Sequence, residues 1–183
     1  CQTGLDLFRP LIVVRGEGEA LREALRQALV AGRGYLFSAP LGAQHDLLAV
    51  AEVRDAQVAG VHTLPAGALK PVINLLTTVS RTPDGQFRAV IRGRDGAPAA
   101  EAGTSWVGAR YAEVFVRVRE GARGRGLGKS VLSAVCVELA AANRNPLFVT
   151  GQDNGPARGL ATRLGFVDTG AREWTGALAL SKG

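Results

Sequence analysis

Val114 to Ser130 reads VFVRVREGARGRGLGKS, and the organisation of the chain follows from this stretch. Val114, Val116 and Val118 share one face, because strand side chains alternate with period two, and Phe115 and Arg117 point the other way. Glycine then occupies positions 124, 126 and 128, with Arg123 and Arg125 interleaved. Glycine lets a backbone turn sharply and approach a ligand with no Cβ in the way. From Lys129 to Ala142, Val131, Val135 and Leu139 form one stripe with Leu132 and Cys136 beside it, which is helical spacing. A loop that enters a helix presents free backbone N–H groups where the dipole also favours negative charge. The stretch predicts a seat for a phosphate or pyrophosphate; the competing reading is a glycine-rich turn without a ligand.

The 183 residues suffice for one full core or two small subdomains. A composition of 46% hydrophobic and 21% charged residues, without a low-complexity tract, is that of a soluble globular protein. No apolar run approaches the length of a membrane span or forms a signal peptide, so no membrane partner is expected. With Cys1 first and no methionine, the natural start is expected to lie before Cys1; a mature lipoprotein also begins with cysteine. Cys1 and Cys136 cannot make a disulfide framework, and a cytoplasmic home is the default expectation. The net charge of +6 is uneven: residues 1–84 hold eight Lys+Arg against eight Asp+Glu, and residues 85–183 hold fourteen against eight. The basic half contains the glycine loop, which suits a polyanionic ligand, either a phosphorylated cofactor or a nucleic acid. Nineteen of the 22 basic residues are arginine, so codon bias contributes to the charge.

Before the loop, Leu11–Val14 and Tyr35–Phe37 read as strands. Glu17–Ala31 reads as an amphipathic helix on Leu21, Leu25 and Leu29, stopped by Gly32. Leu41–Val53 is expected to be helical, and Val58–Leu64 and Val72–Val79 lean towards strand. His45 and His62 have no Cys or acidic neighbours at metal-ligand spacing, so no metal is expected. Thr82-Pro83-Asp84-Gly85 is a turn, taken as the boundary between subdomains 1–84 and 85–183. Beyond it, Gln86–Arg92, Ala99–Val107 and Arg110–Arg119 make an antiparallel meander, and Leu147–Thr150 a fourth strand. Pro156 and Gly165 bracket a short helix carrying Leu160 and Leu164, and Val167–Leu180 offers a closing pair of strands with Trp174.

The loop misses two nucleotide patterns. A P-loop needs glycine where Arg123 stands, and Gly124-x-Gly126-x-Gly128 is not the dinucleotide spacing. It fits R/Q-x-x-G-x-G/A, filled by Arg123, Gly126 and Gly128, and so resembles the pyrophosphate loop of the GNAT superfamily of acyl-CoA-dependent N-acyltransferases. Asn154-x-x-Ala157-x-x-Leu160, followed by Leu164-Gly165-Phe166, is similar to that superfamily's second CoA-binding motif. The resemblance covers Gln86 to Leu180. It implies an α/β (α+β) fold with a mixed, mostly antiparallel sheet flanked by helices, preceded either by a diverged GNAT-like N-terminal α/β half or by a separate small α/β subdomain that shapes the acceptor site.

It further implies that backbone groups of Val116, Arg117 and Val118 bind the pantetheine arm and polarise the thioester carbonyl. Arg123, Gly124, Arg125, Gly126, Leu127, Gly128 and Lys129 would hold the pyrophosphate, and Asn154 would contact the CoA arm. The implied activity is direct transfer of acetyl from acetyl-CoA to an unidentified primary amine, on a small molecule or peptide. Such a reaction needs a base for the amine proton, a stabiliser for the carbonyl oxygen and an exit for the thiolate. Glu113 is the best carboxylate for the first, one residue out of the usual register; the alternative is a surface glutamate. The tyrosine that usually protonates the thiolate is replaced by Ala161. Two other readings stay open: a catalytically silent acyl-CoA-binding or sensor domain, and a nucleic-acid-binding protein. Aromatics at 5%, with none in the Arg loop, argue against base stacking and nucleic acid. A homodimer is left open.

Overall fold

A computed structural model describes residues 9–181, so Cys1 lies outside the described residues. The fold is mixed α/β, with nine strands, mostly in antiparallel pairs, and four helices among the described residues. Its described residues fall into two compact units, residues 61–169 and residues 9–60 with 170–181. Strands β3 (Ala51–Thr63) and β9 (Val167–Leu180) each run from one unit into the other.

In the unit of residues 61–169, β5 (Phe87–Arg92), β6 (Pro98–Val107) and β7 (Tyr111–Val118) form the predicted antiparallel meander. Strand β4 (Thr78–Arg81) pairs with β5 through the Thr82–Gly85 turn, which Gly85 N–H closes onto the Thr82 carbonyl at 2.8 Å. That turn joins two neighbouring strands of one unit. The compact units instead change within β3 and β9, because strand pairing holds residues 78–92 in one sheet. Strand β8 (Asn145–Gly151) pairs with β7 in parallel, and β7 reaches it through α3 (Leu127–Ala141). Val131, Leu132, Val135, Cys136 and Leu139 of α3 are wholly buried against Ala89, Ile91, Ala102, Ala112 and Val114. Each such side chain contributes about 1.5–3 kcal/mol on leaving water. Small alanines on β5–β7 let the larger α3 residues approach the sheet closely.

Helix α4 (Gly155–Leu164) has Asn154 as its N-cap, whose Oδ1 accepts the Ala157 N–H at 3.1 Å. Pro156 falls at the second helical position rather than the first. The helix ends at Gly165 with φ 102°, and the Phe166 N–H returns to the Ala161 carbonyl at 3.1 Å. Residues 64–72 run past the end of α4 and reach α3, where the Val72 N–H donates to Ser133 Oγ at 2.8 Å. The strand expected at Val72–Val79 begins only at Thr78, because Val72 to Thr77 is tied to α3 and to its own Asn74 turn.

The other unit orders its strands β1 (Leu11–Val13), β2 (Gly34–Pro40), β9, β3. Helix α1 spans Gly18–Ala28, shorter than the predicted 17–31, with Leu21 and Leu25 buried. The helix expected over Leu41–Val53 is a single 3-10 turn, Leu41–Ala43, followed by α2 (Gln44–Val50). It stops there because Ala51 turns extended and starts β3. The closing pair of strands expected over Val167–Leu180 is one strand, β9, paired with β2 from Gly34↔Ala179 to Pro40↔Glu173. Trp174 meets Phe37 edge-on at 4.8 Å in this unit's core.

Asp46 of α2 caps α1 from outside it: Oδ2 accepts the Gly18 N–H at 2.7 Å, and Oδ1 accepts from Arg22 Nε at 2.8 Å. The Gly18 N–H, and then Arg22, hold this carboxyl below its ordinary pKa. A depressed carboxylate pKa contributes stability above the unfolded-state value, about 3.9, that is lost as pH falls through the folded value. Asp46→Asn should therefore lower stability at neutral pH, and its gap from the natural protein should close on acidification below about pH 4. Urea denaturation followed by circular dichroism at a series of pH values measures this; a gap that stays constant down to pH 2 would contradict it.

Candidate functional site

The glycine loop folds as a short 3-10 turn, Glu120–Ala122, then Arg123 to Gly126, then α3. Gly124 and Gly126 take φ 75° and 77°, a left-handed backbone that glycine adopts without strain. Gly126 is the N-cap of α3, and the first bond back to it is Ser130 N–H to the Gly126 carbonyl at 3.2 Å. The N–H groups of Leu127, Gly128 and Lys129 precede that bond and meet no acceptor among the described residues. A Cβ built at Gly124 or Gly126 would meet nothing within 4 Å, so the space over the loop is open. Arg123, Arg125 and Lys129 have no carboxylate partner among the described residues. Open space, free donors and unpaired cations are the features that an anion seat requires.

Gly128 has the opposite surroundings. A Cβ there would lie 2.9 Å from Val118 Cγ2 and 3.2 Å from Leu160 Cδ1, so the first turn of α3 rests directly on β7 and α4. Ser130 and Ser133 anchor the same helix to residues 72–74, since Asn74 Nδ2 donates to Ser130 Oγ at 3.2 Å.

Beside the loop the sheet opens. Parallel pairing of β7 and β8 runs from Tyr111↔Asn145 to Val114↔Phe148 and stops, although β7 continues to Val118 and β8 to Gly151. On its other side β7 stays paired with β6 out to Ala100↔Val118. Backbone groups of residues 115–118 that face β8 are thus left for another partner, as buried or half-buried peptide groups require. Both strands end here and each leads into a helix, so the N-termini of α3 and α4 lie at the carboxyl ends of two adjacent parallel strands. Open α/β sheets place ligands at such ends.

The residues singled out from sequence fall on these parts. Val116 and Val118 are half-buried and pack on the core, and Arg117 is exposed on the opposite face. Arg123 to Lys129 make the loop and the first helical turn, and the Asn154 carboxamide oxygen is engaged in capping α4. Glu113 is half-buried on the Phe115 and Arg117 face, and its carbonyl accepts from Ser105 Oγ at 3.4 Å beside a bulge in β6. Ala161 is fully buried in the core with Leu164 and Phe166. His62 is buried with Nδ1 3.3 Å from the Phe148 carbonyl, and His45 is exposed on α2 in the other unit. Sequence reading missed the fork, because register is a property of two strands, and it missed Glu101 on β6. The only signal for Glu101 was a lone acid in an apolar strand near arginines.

Residues 98–175 match the family model described as FR47-like protein. Among solved structures, a protein assigned as a GNAT-family acetyltransferase from Novosphingobium aromaticivorans superposes with a TM-score of 0.69 at 18% identity, over 88% of this chain and 80% of that one. A Drosophila protein gives 0.66 at 18% identity over 93% and 70%, and a GCN5-related N-acetyltransferase from Kribbella flavida gives 0.60 at 17% over 90% and 74%. No curated protein gives a significant match.

The two glycines predict separable losses. Gly126→Val should cost about 1–3 kcal/mol from left-handed strain and abolish binding of a pyrophosphate ligand by filling the seat. Gly128→Ala should also cost about 1–3 kcal/mol, by overpacking against Val118 and Leu160, and weaken the ligand only by displacing the helix start. Thermal melts beside ligand titrations separate the two; equal ligand affinity in Gly126→Val and the natural protein would contradict the anion seat.

Proposed function

We propose that the protein is a cytoplasmic acetyl-CoA-dependent N-acetyltransferase of the GNAT superfamily acting on a primary amine, a reading supported by the match of residues 98–175 to the FR47-like family model. The observation that carries this reading is the fork between β7 and β8, with free N–H groups and unpaired cations at its open end. Its length and polarity suit a pantetheine arm lying along residues 115–118 and a pyrophosphate over Arg123 to Lys129. The open space at Gly124 and Gly126 fits the phosphates. Among the described residues no helix is long and apolar enough to cross a membrane.

In this reading, backbone N–H groups around Val116 to Val118 donate to the thioester carbonyl oxygen as negative charge builds on it. The neutral amine attacks the carbonyl carbon directly. Glu113, on the face where an acceptor can approach, takes the proton released from the amine nitrogen. Asn154 lies at the α4 end of the fork and contacts the CoA arm through its carboxamide nitrogen.

Thiolate departure proceeds without a tyrosine. Ala161 is a fully buried core position, so a phenol there would collide with the packing of Leu164 and Phe166 rather than reach a ligand. An ordinary thiol has a pKa of about 8.5 and leaves tolerably as thiolate. The same alanine favours a second reading, an acyl-CoA-binding domain that does not turn its ligand over.

Calorimetry should show acetyl-CoA binding tighter than ATP or NAD; preferential ATP binding would end this reading. CoA-thiol release across a panel of amines should rise with pH as the acceptor deprotonates, and Glu113→Gln should slow it by about 10²-fold or more. Ala161→Tyr should lower stability by about 1–3 kcal/mol and give no gain in rate. Firm acetyl-CoA binding without release from any amine favours the silent binder.

A further inference from the structure

The face of β5, β6 and β7 turned away from α3 carries a charged cluster that the acyl-donor site does not use. Glu101 lies between two arginines, with Arg88 Nη2 at 2.8 Å and Arg117 Nη1 at 3.4 Å. The Glu101 side chain is only 14% exposed, whereas those of Arg88 and Arg117 are 43% and 47% exposed. One carboxylate therefore holds two guanidinium groups from beneath and leaves the cluster with a net positive charge. A guanidinium has five N–H donors, and each of these contributes one to Glu101. The remaining donors are held in place and open to solvent.

Phe115 fixes the arrangement further. The Arg117 guanidinium lies 5.2 Å from the centre of its ring. The ring in turn lies over Gly103, where a Cβ would come within 3.0 Å of Phe115 Cε1. Arg117 thus leans back along β7 towards Phe115. Glu113, Phe115 and Arg117 alternate on one face, so that face runs from an acidic end through an aromatic ring to a basic end. Arg117 is four residues from Glu113, about 13 Å along the strand, and its lean towards Phe115 brings the guanidinium nearer the acidic end.

The inference rests on the acyl-transfer reading. With the donor's phosphates on the α3 side, an amine reaches the thioester carbon from the other face, the one carrying this cluster. We propose that the acceptor is a small amine bearing an anionic group, a carboxylate or a phosphate, within a few bonds of its nitrogen. Arg88 and Arg117 bind the anion, and Glu101 positions them for it. Paired guanidinium forks match the planar or tetrahedral oxygens of such groups, and these charge-assisted bonds are roughly twice as strong as neutral ones. The polarity of the face, Glu113 towards the amine and the arginines towards the anion, is that of a zwitterion read in one direction.

The test compares matched acceptors with and without the anion: β-alanine with propylamine, and 2-aminoethyl phosphate with ethanolamine. Rates are compared at equal concentrations of free amine. The anionic member should have at least a 10-fold higher kcat/KM, and whichever pair shows the larger ratio tells carboxylate from phosphate. Arg88→Gln and Arg117→Gln should each lower that ratio by about 10- to 100-fold, chiefly through KM, and Arg117→Lys should restore part of it. A ratio near one in the natural protein, or one unchanged in both Gln variants, overturns the inference. Release of CoA from neutral and anionic amines alike overturns it while leaving acyl transfer standing, and failure to bind acetyl-CoA overturns both. Where no amine gives release, calorimetry on CoA-loaded protein decides. Heat from β-alanine or 2-aminoethyl phosphate that their neutral partners do not give supports the inference, and its absence overturns it.

Discussion

The contact of Gly128 with Val118 and Leu160 is the constraint on which the site depends. Helix α3 can start where it does only because no Cβ stands between its first turn and β7. That closeness sets the free N–H groups of residues 127–129 beside the end of the strand whose β8 side lacks a strand partner past Val114. A helix start displaced by even one side chain would separate the two sets of donors. The fork, the loop and the helix dipole act together because one small residue fixes their spacing.

The two faces of the same sheet have different duties. Towards α3, β5 to β7 offer alanines and branched aliphatics, and the helix fills the space with Val131, Leu132, Val135 and Leu139. Ser130 and Ser133 sit in this apolar setting because residues 72–74 supply their partners, so the helix is buried on two sides without an unmet hydroxyl there. Away from α3, the face carries Glu113, Phe115, Arg117 and the Glu101 cluster. One face of the sheet thus offers backbone groups and helix ends, and the other offers charged and aromatic side chains. Backbone geometry tolerates sequence change well, whereas side-chain recognition changes with single substitutions.

Ala161 illustrates how a single residue can stand in two arguments. By motif position it is where a proton donor is expected; by packing it is a core residue with no space around it. Adding a tyrosine to such a site changes the core before it changes the chemistry. In the other unit, Asp46 shows a similar economy of position: a residue of α2 completes the start of α1, and no pattern within α1 announces it.

The sequence by itself determined the local elements. The alternation of Val114, Val116 and Val118, the glycines at 124–128 and the stripe of α3 were enough to place strand, loop and helix, because each depends on neighbours a few residues away. Asn154 and Gly165 marked the ends of α4 for the same reason. Tertiary structure alone decided where β7 and β8 part, since both strands continue and only their register shows the gap. It also decided that residues 82–85 join neighbouring strands rather than separate units, that Val167–Leu180 is one strand, and that Ala51 ends α2. Glu101 meets Arg88 and Arg117 across three strands, separations of 13 and 16 residues that no local pattern encodes. Propensity and capping act within a turn or two of chain, whereas pairing and burial depend on which distant segments arrive side by side.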